Sequence, residues 1–260
     1  MRYNQPKLVK DLLIVSLFTS LLQGIEIESL NHAVDVAGKQ RMFTQRMLKD
    51  YAMIGMENSF GNPQQDLTEI VKAFEDHLLS LSSYTKNKKI IQSAKRVQKL
   101  WKPIKKQLLQ APKKDKVVAL QADLELLLDA SNELTKRFAE ATGEDAGEII
   151  NISGRQRMLS QRMAALYMLK AWGLEDKNFK KKMESAMDLF KRSLVRLKRS
   201  ELNNEKINRL LDEVEKSFMF FEVMSASSST FIPTLIYKKS NDILENMNQA
   251  THEYVVVSKK

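Results

Sequence analysis

One stretch of this chain is written twice. Val36-Ala37-Gly38-Lys39-Gln40-Arg41-Met42-Phe43-Thr44-Gln45-Arg46-Met47 returns as Ile152-Ser153-Gly154-Arg155-Gln156-Arg157-Met158-Leu159-Ser160-Gln161-Arg162-Met163, at a constant offset of 116 residues. The glycine, both Gln-Arg-Met triplets and a closing tyrosine (Tyr51, Tyr167) coincide. Such self-similarity marks two copies of one module, so any fold must be solved twice within the same chain. A length of 260 residues accommodates this. It allows two units of about 110 to 120 residues, each large enough to bury a core.

The pattern is helical almost throughout. Only 8 Gly and 5 Pro interrupt the chain, and no segment reads as a strand. In the first copy the periodicity predicts helices near 26–57, 64–84, 88–110 and 115–142, with Pro103 expected to break or kink the third. In the second copy it predicts helices near 145–173 and 176–200, one from about 205 to 224, and a last one ending near Val256. Ser225–Thr230 and Pro233 interrupt the last pair. Ala141–Gly147, with two glycines, is the expected linker. The expected fold is therefore all-α, two tandem antiparallel four-helix bundles over residues 25–142 and 143–260.

Residues 1–24 read differently. Arg2, Lys7 and Lys10 precede an apolar run from Leu12 to Gly24. That is the length of a signal peptide's apolar region, short of the roughly 20 residues a spanning helix needs. Export to the periplasm follows, with an inner-membrane anchor if the segment stays uncleaved. Cysteine is absent, which excludes disulfides, thiol catalysis and a cysteine-linked lipid anchor. His32, His77 and His252 show no metal spacing, and neither a cofactor nor nucleic acid is expected. The net charge of +10 comes mostly from dispersed lysine, the mark of a solvated helical surface.

Helical spacing sorts the repeated stretch into two faces. Val36, Gln40, Phe43, Met47, Tyr51 and Ile54 share one, matched by Ile152, Gln156, Leu159, Met163 and Tyr167, and would fill each bundle core. The opposite face carries Asp35, Gly38, Arg41, Met42, Gln45, Ala52 and Met56, matched by Asn151, Gly154, Arg157, Met158, Gln161, Ala165, Met168 and Trp172. A solvated face would be mainly Lys and Glu. This one mixes small and apolar groups with one arginine and one glutamine, so it is expected to pack against the other bundle. Glycine there permits close approach of two helices. Arginine supplies a permanently charged fork matched to planar oxyanions. Arg41 and Arg157 either pair with carboxylates such as Asp35 and Glu26, or meet across a pseudo-twofold and hold an anion between them.

Asp35-Val36-Ala37-Gly38-Lys39-Gln40-Arg41-Met42 and Asn151-Ile152-Ser153-Gly154-Arg155-Gln156-Arg157-Met158, each continuing into a second Gln-Arg-Met, resemble the signature of the PilJ/NarX-type sensory domain. That family supplies periplasmic domains of type IV pilus chemoreceptors and of nitrate/nitrite sensor kinases. Asp35 departs from the pattern, which more often has asparagine there. The resemblance implies a non-enzymatic sensory protein. It also implies that the arginine before methionine holds the ligand, at Arg41 and Arg157, with Gly38 and Gly154 offering backbone at the same place.

Combined with the face assignment, the expected site comprises Arg41, Arg157, Gly38, Gly154, Gln45 and Gln161, and the expected ligand is a small oxyanion of the nitrate or nitrite kind. A membrane sensor or type IV pilus component is the expected partner, and the chain would act as a monomeric pseudo-dimer or as a homodimer. The alternative is an envelope interaction or scaffold module with no small ligand. No nucleophile–base pair, metal cluster or phosphate loop supports an enzyme.

Overall fold

The computed structural model describes residues 24–143, 145–226 and 232–259. The export segment therefore lies, except for Gly24, outside the described residues, as does most of the expected Ser/Thr-rich interruption. Eight helices and no strand are present among the described residues. They are α1 (Leu30–Gly55), α2 (Pro63–Ser83), α3 (Lys88–Leu108), α4 (Val117–Thr142), α5 (Asp145–Ala171), α6 (Phe179–Lys198), α7 (Glu205–Ala226) and α8 (Pro233–Val257).

The ends follow local chemistry. Ser29 caps α1 by accepting from the His32 amide. Asn62, itself left-handed, caps α2, and Pro63 occupies the first turn, where its missing N–H costs nothing. Gly143 closes α4 in the left-handed region at φ 66°, a conformation that glycine adopts without strain. Only residues 143 and 144 separate α4 from α5. The expected break at Pro103 does not occur: α3 continues through it. Pro103 and Lys99 are both exposed, so the Lys99 carbonyl that loses its partner faces solvent rather than the core.

The two helical bundles, α1–α4 and α5–α8, join along their first helices. α1 packs on α2, α4 and α5, while α5 packs on α1, α6 and α8. Both motif helices are thus buried nearly all round, as a helix with two apolar faces requires. After Leu30, only His32, Lys39 and Arg46, spaced seven apart, form a partly exposed stripe on α1 before the final turn. The bundle-core face is buried as its spacing requires, with Ile54 alone half-buried; the opposite face is sandwiched between the bundles.

The two copies keep the same internal register. Gln40 Nε2 donates to the Phe74 carbonyl at 3.0 Å, and Gln156 Nε2 donates to the Phe190 carbonyl at 3.0 Å. Each of these phenylalanines pairs with an aromatic ring of the next helix, Trp101 at 4.3 Å and Phe218 at 4.4 Å between centroids. Each carbonyl lies inside its helix, so the glutamine adds a second donor there and finds an acceptor for its own buried amide nitrogen.

One feature breaks the symmetry. Lys49 and Asp50, both fully buried, stand where the second copy has Ala165 and Leu166. Lys49 Nζ donates to Gln161 Oε1 at 2.8 Å and to Asn241 Oδ1 at 3.0 Å. It also lies 3.8 Å from Asp50 Oδ1 and 4.2 Å from the Tyr237 ring centroid. The lysine therefore pins α1 to α5 and α8 of the other bundle. Burial pushes the Asp50 carboxyl well above its usual range despite Lys49. Burial also draws Lys49 down to about 8.

Removing one member of a buried charged pair typically costs about 3–5 kcal/mol, whereas apolar replacement of the whole pair is often neutral. Lys49→Ala is expected to destabilise by about 3 kcal/mol. Lys49→Ala combined with Asp50→Leu, the dipeptide of the second copy, is expected to recover most of that in urea denaturation.

Candidate functional site

The site grows from the crossing of α1 and α5. Gly38 and Gly154 face one another there, close enough that a Cβ built on either would lie 3.8 Å from the other's Cα. A side chain at either glycine would fill the space beside the arginines and crowd their forks. Arg41 and Arg157, one turn further along their helices, are fully buried. Their guanidinium groups converge on that space. The Cβ position of Gly38 lies 3.2 Å from Arg157 Nη2 and 3.3 Å from Arg41 Nη2. The Cβ position of Gly154 lies 3.0 Å and 3.2 Å from the same two atoms. Four of the six sequence-predicted residues thus meet at one place.

The hydrogen bonds obey the 116-residue repeat. Arg41 Nη1 donates to Asn132 Oδ1 of α4 at 3.1 Å, and Arg157 Nη1 donates to Asn248 Oδ1 of α8 at 3.2 Å. Each arginine also reaches across the interface to the other copy. Arg41 Nη1 meets Asn151 Oδ1 at 2.8 Å and its Nη2 meets the Asn151 carbonyl at 3.0 Å. Arg157 Nη1 lies 2.7 Å from Asp35 Oδ1 and its Nη2 donates to the Asp35 carbonyl at 3.3 Å. The Nε of each arginine has no hydrogen-bond partner among the described residues.

Asn132 and Asn248 are site residues that the motif alone did not reveal. Their signal was present, since both asparagines stand in the fourth helix of a copy at the same 116-residue spacing.

Gln45 and Gln161 are buried on the same face but are committed elsewhere. Gln45 Nε2 donates to Thr44 Oγ1 at 3.2 Å. Gln161 accepts from Lys49 and donates to the Ser240 carbonyl. They border the arginines one turn along without facing the glycine crossing.

The electrostatics are lopsided. Among the described residues Asp35 is the one carboxylate paired with either arginine, and it also pairs with Lys39 at 3.1 Å. Burial alone would raise the Asp35 carboxyl, but Arg157 and then Lys39 outweigh it and hold the group at about 2. Arg41 faces a neutral amide where Arg157 faces a charge. Burial first, and then the like charges of Arg155 and Arg157, drive its pKa well below the usual value. Two unit charges 4 Å apart repel by about 4 kcal/mol at an effective dielectric near 20. Two guanidiniums against one carboxylate therefore leave this buried crossing with an excess of positive charge.

A family model described as type IV pili methyl-accepting chemotaxis transducer N-term (PilJ) matches residues 26–130 and 139–218. Those segments cover well over half of the chain, each holds one copy of the glycine–arginine motif, and the chain belongs to that family, a non-catalytic sensory domain. No curated protein and no solved structure matches the chain. Among the described residues no helix is long and apolar enough to cross a membrane.

Asp35 gives this site an acid signature. Its folded pKa lies below the ordinary 3.8, so the stability it contributes is complete above about pH 4 and is lost as pH falls toward 2. That loss is on the order of 2 kcal/mol. Chemical denaturation between pH 4 and 2 is expected to show a flatter acid limb for Asp35→Asn than for the parent chain.

Proposed function

We propose that this PilJ-family chain is an exported, non-enzymatic sensory protein that holds a small planar oxyanion, nitrate or nitrite in kind, between Arg41 and Arg157. One observation carries the reading: two fully buried guanidiniums converge on the same glycine-lined crossing, and among the described residues only Arg157 meets a carboxylate. A buried cation without an equal counter-charge is costly, and a bound anion relieves that cost. The guanidinium fork suits a planar anion with at least two oxygens.

The roles divide by position. Arg41, whose partners are neutral, supplies the unneutralised charge. Arg157, already partnered by Asp35, contributes Nη2 from the opposite side. Gly38 and Gly154 keep the space open, while Asn132, Asn151 and Asn248 hold the forks in place. Gln45 and Gln161 set the packing at the edge. An anion here would tie α1 to α5, so occupancy would report as a change in how the bundles grip each other. The basic, apolar segment before the fold supports a periplasmic address, from which a membrane sensor or type IV pilus component would read that change.

A second reading, an interaction module without a small ligand, draws on α3. That helix carries eight Lys and Arg and no acid over its length, a surface suited to an acidic partner.

Calorimetry of the full chain with nitrate, nitrite and chloride separates the two. Saturable nitrate binding is expected. Arg41→Lys, which keeps the charge and loses the fork, is expected to weaken it at least about tenfold, the worth of one charge-assisted hydrogen bond. Gly154→Ala is expected to abolish it while the chain stays folded, since alanine gains up to about 1 kcal/mol of helix propensity to offset the crowding. Undiminished affinity in both variants would remove the site.

A further inference from the structure

The duplication supplies an internal comparison at a second arginine, the one in the later Gln-Arg-Met. In the first copy Arg46 is closed by Asp66 of α2: Nε donates to Oδ2 at 2.9 Å and Nη2 meets Oδ1. Asp66 is buried in that pairing. In the second copy the matching arginine is Arg162, and the position of Asp66 is taken by Lys182 of α6. The glutamine bonds to Phe74 and Phe190 fix the same register in both copies, so the comparison sets like against like.

Three further differences fall at the same place. Phe43 becomes Leu159 and Ile70 becomes Ala186, which removes bulk from the floor. Glu69 becomes Ser185, which removes an acid from the rim. Beside these three, Leu189 is larger than Ala73, and Lys181 and Lys182 at the rim are longer than Gln65 and Asp66. The result in the second copy is a groove of about 550 Å³ between α5 and α6, with Met158, Leu159 and Ala186 beneath Arg162, Lys181 and Lys182.

Arg162 donates from Nη1 to Glu125 of α4 at 2.8 Å. Its Nε–Nη2 edge, the one Arg46 turns to Asp66, carries no hydrogen bond among the described residues. Lys182 rests on Asp176 at 2.7 Å, while the exposed Lys181 has no ion pair among the described residues. Partly exposed pairs such as Arg162–Glu125 and Lys182–Asp176 contribute at most about 1 kcal/mol and yield readily to a better partner.

We propose that the α5–α6 groove binds a small organic carboxylate with an apolar body, its carboxylate taking on Arg162 the place that the Asp66 side chain holds on Arg46. The first copy shows the complement this arginine accepts, a carboxylate met through two nitrogens. Lys181 and Lys182 add charge of the right sign at the rim. The missing Phe and Ile side chains leave an apolar floor for a short alkyl or aryl body, within the size range of small-molecule sites. This site stands apart from the glycine crossing and does not depend on what binds there.

The test is calorimetry of the full chain with hexanoate, and with 1-hexanol as the uncharged probe of the same length. Hexanoate is expected to saturate one site, with hexanol at least about tenfold weaker because it lacks the charged acceptor. Lys182→Asp, which restores the first copy's closure, and Ser185→Glu, on the exposed rim, are each expected to weaken hexanoate at least about tenfold with an unchanged melting temperature. Ala186→Ile, which refills the floor, is expected to do the same. No saturable hexanoate binding, equal binding of hexanol, or parental affinity in Lys182→Asp or Ser185→Glu would overturn the proposal. Nitrate titrated into the same variants is expected to behave as in the parent, so failure of one site is read separately from failure of the other.

Discussion

Two guanidinium groups, each stripped of water, are held against one another where two glycines let α1 and α5 touch. Everything central to this molecule follows from that constraint. The helices cross closely at Gly38 and Gly154, where a Cβ on either would press to 3.0–3.3 Å against both arginine forks. Asparagines must stand on α4 and α8 at matching positions, because otherwise the forks would have no acceptors in their own bundles. The motif helix must be buried on both sides, which is why its outward stripe shrinks to His32, Lys39 and Arg46.

Burial of this kind is weak evidence for stability, since desolvating a charge costs more than its pairing usually returns. The arrangement gains specificity instead. Each arginine recognises the opposite copy through a backbone carbonyl and a side-chain oxygen at residue 35 or 151. These contacts fix the register of α1 against α5, because sliding either helix by one turn would strand both forks. The Lys49 contacts to Gln161 and Asn241 fix the same interface a little further along. The two bundles are thereby locked by polar groups at two levels, with apolar packing filling the space between.

Much of this was legible in the residues. Helical periodicity gave the eight helices, and the face opposite the bundle core announced its own burial by containing Met, Ala, Gly and Trp where Lys and Glu would stand in water. The convergence of Arg41 with Arg157 followed from the repeat, since two copies that pack through the same face must bring equivalent residues together. Other features were not legible. Whether Asp35 would pair within its copy or across the interface depends on the crossing angle, which periodicity does not encode. The commitment of Gln161 to Lys49 depends on a lysine with no counterpart in the second copy, so the repeat gave no hint of it. Pro103 was read as a kink or break because its ring forbids one hydrogen bond, yet α3 runs on through it, since that bond lies on the solvent side, where losing it is tolerable.

A pseudo-dimer written in one chain can do what a homodimer of the same module cannot. In a symmetric pair, residue 35 and its equivalent would be the same, so the two arginines would face either two carboxylates or two amides. The centre would then be neutral or doubly positive. Here Asp35 stands against Asn151, so that one guanidinium meets a carboxylate and the other an amide. An intermediate charge is reached that symmetry forbids, short of the full repulsion of two bare cations. The same freedom explains why Lys49-Asp50 faces Ala165-Leu166, and why Asp66 closes one arginine while Lys182 leaves the other fork open. The duplicated backbone was kept, and the chemistry at equivalent points was free to diverge one side at a time.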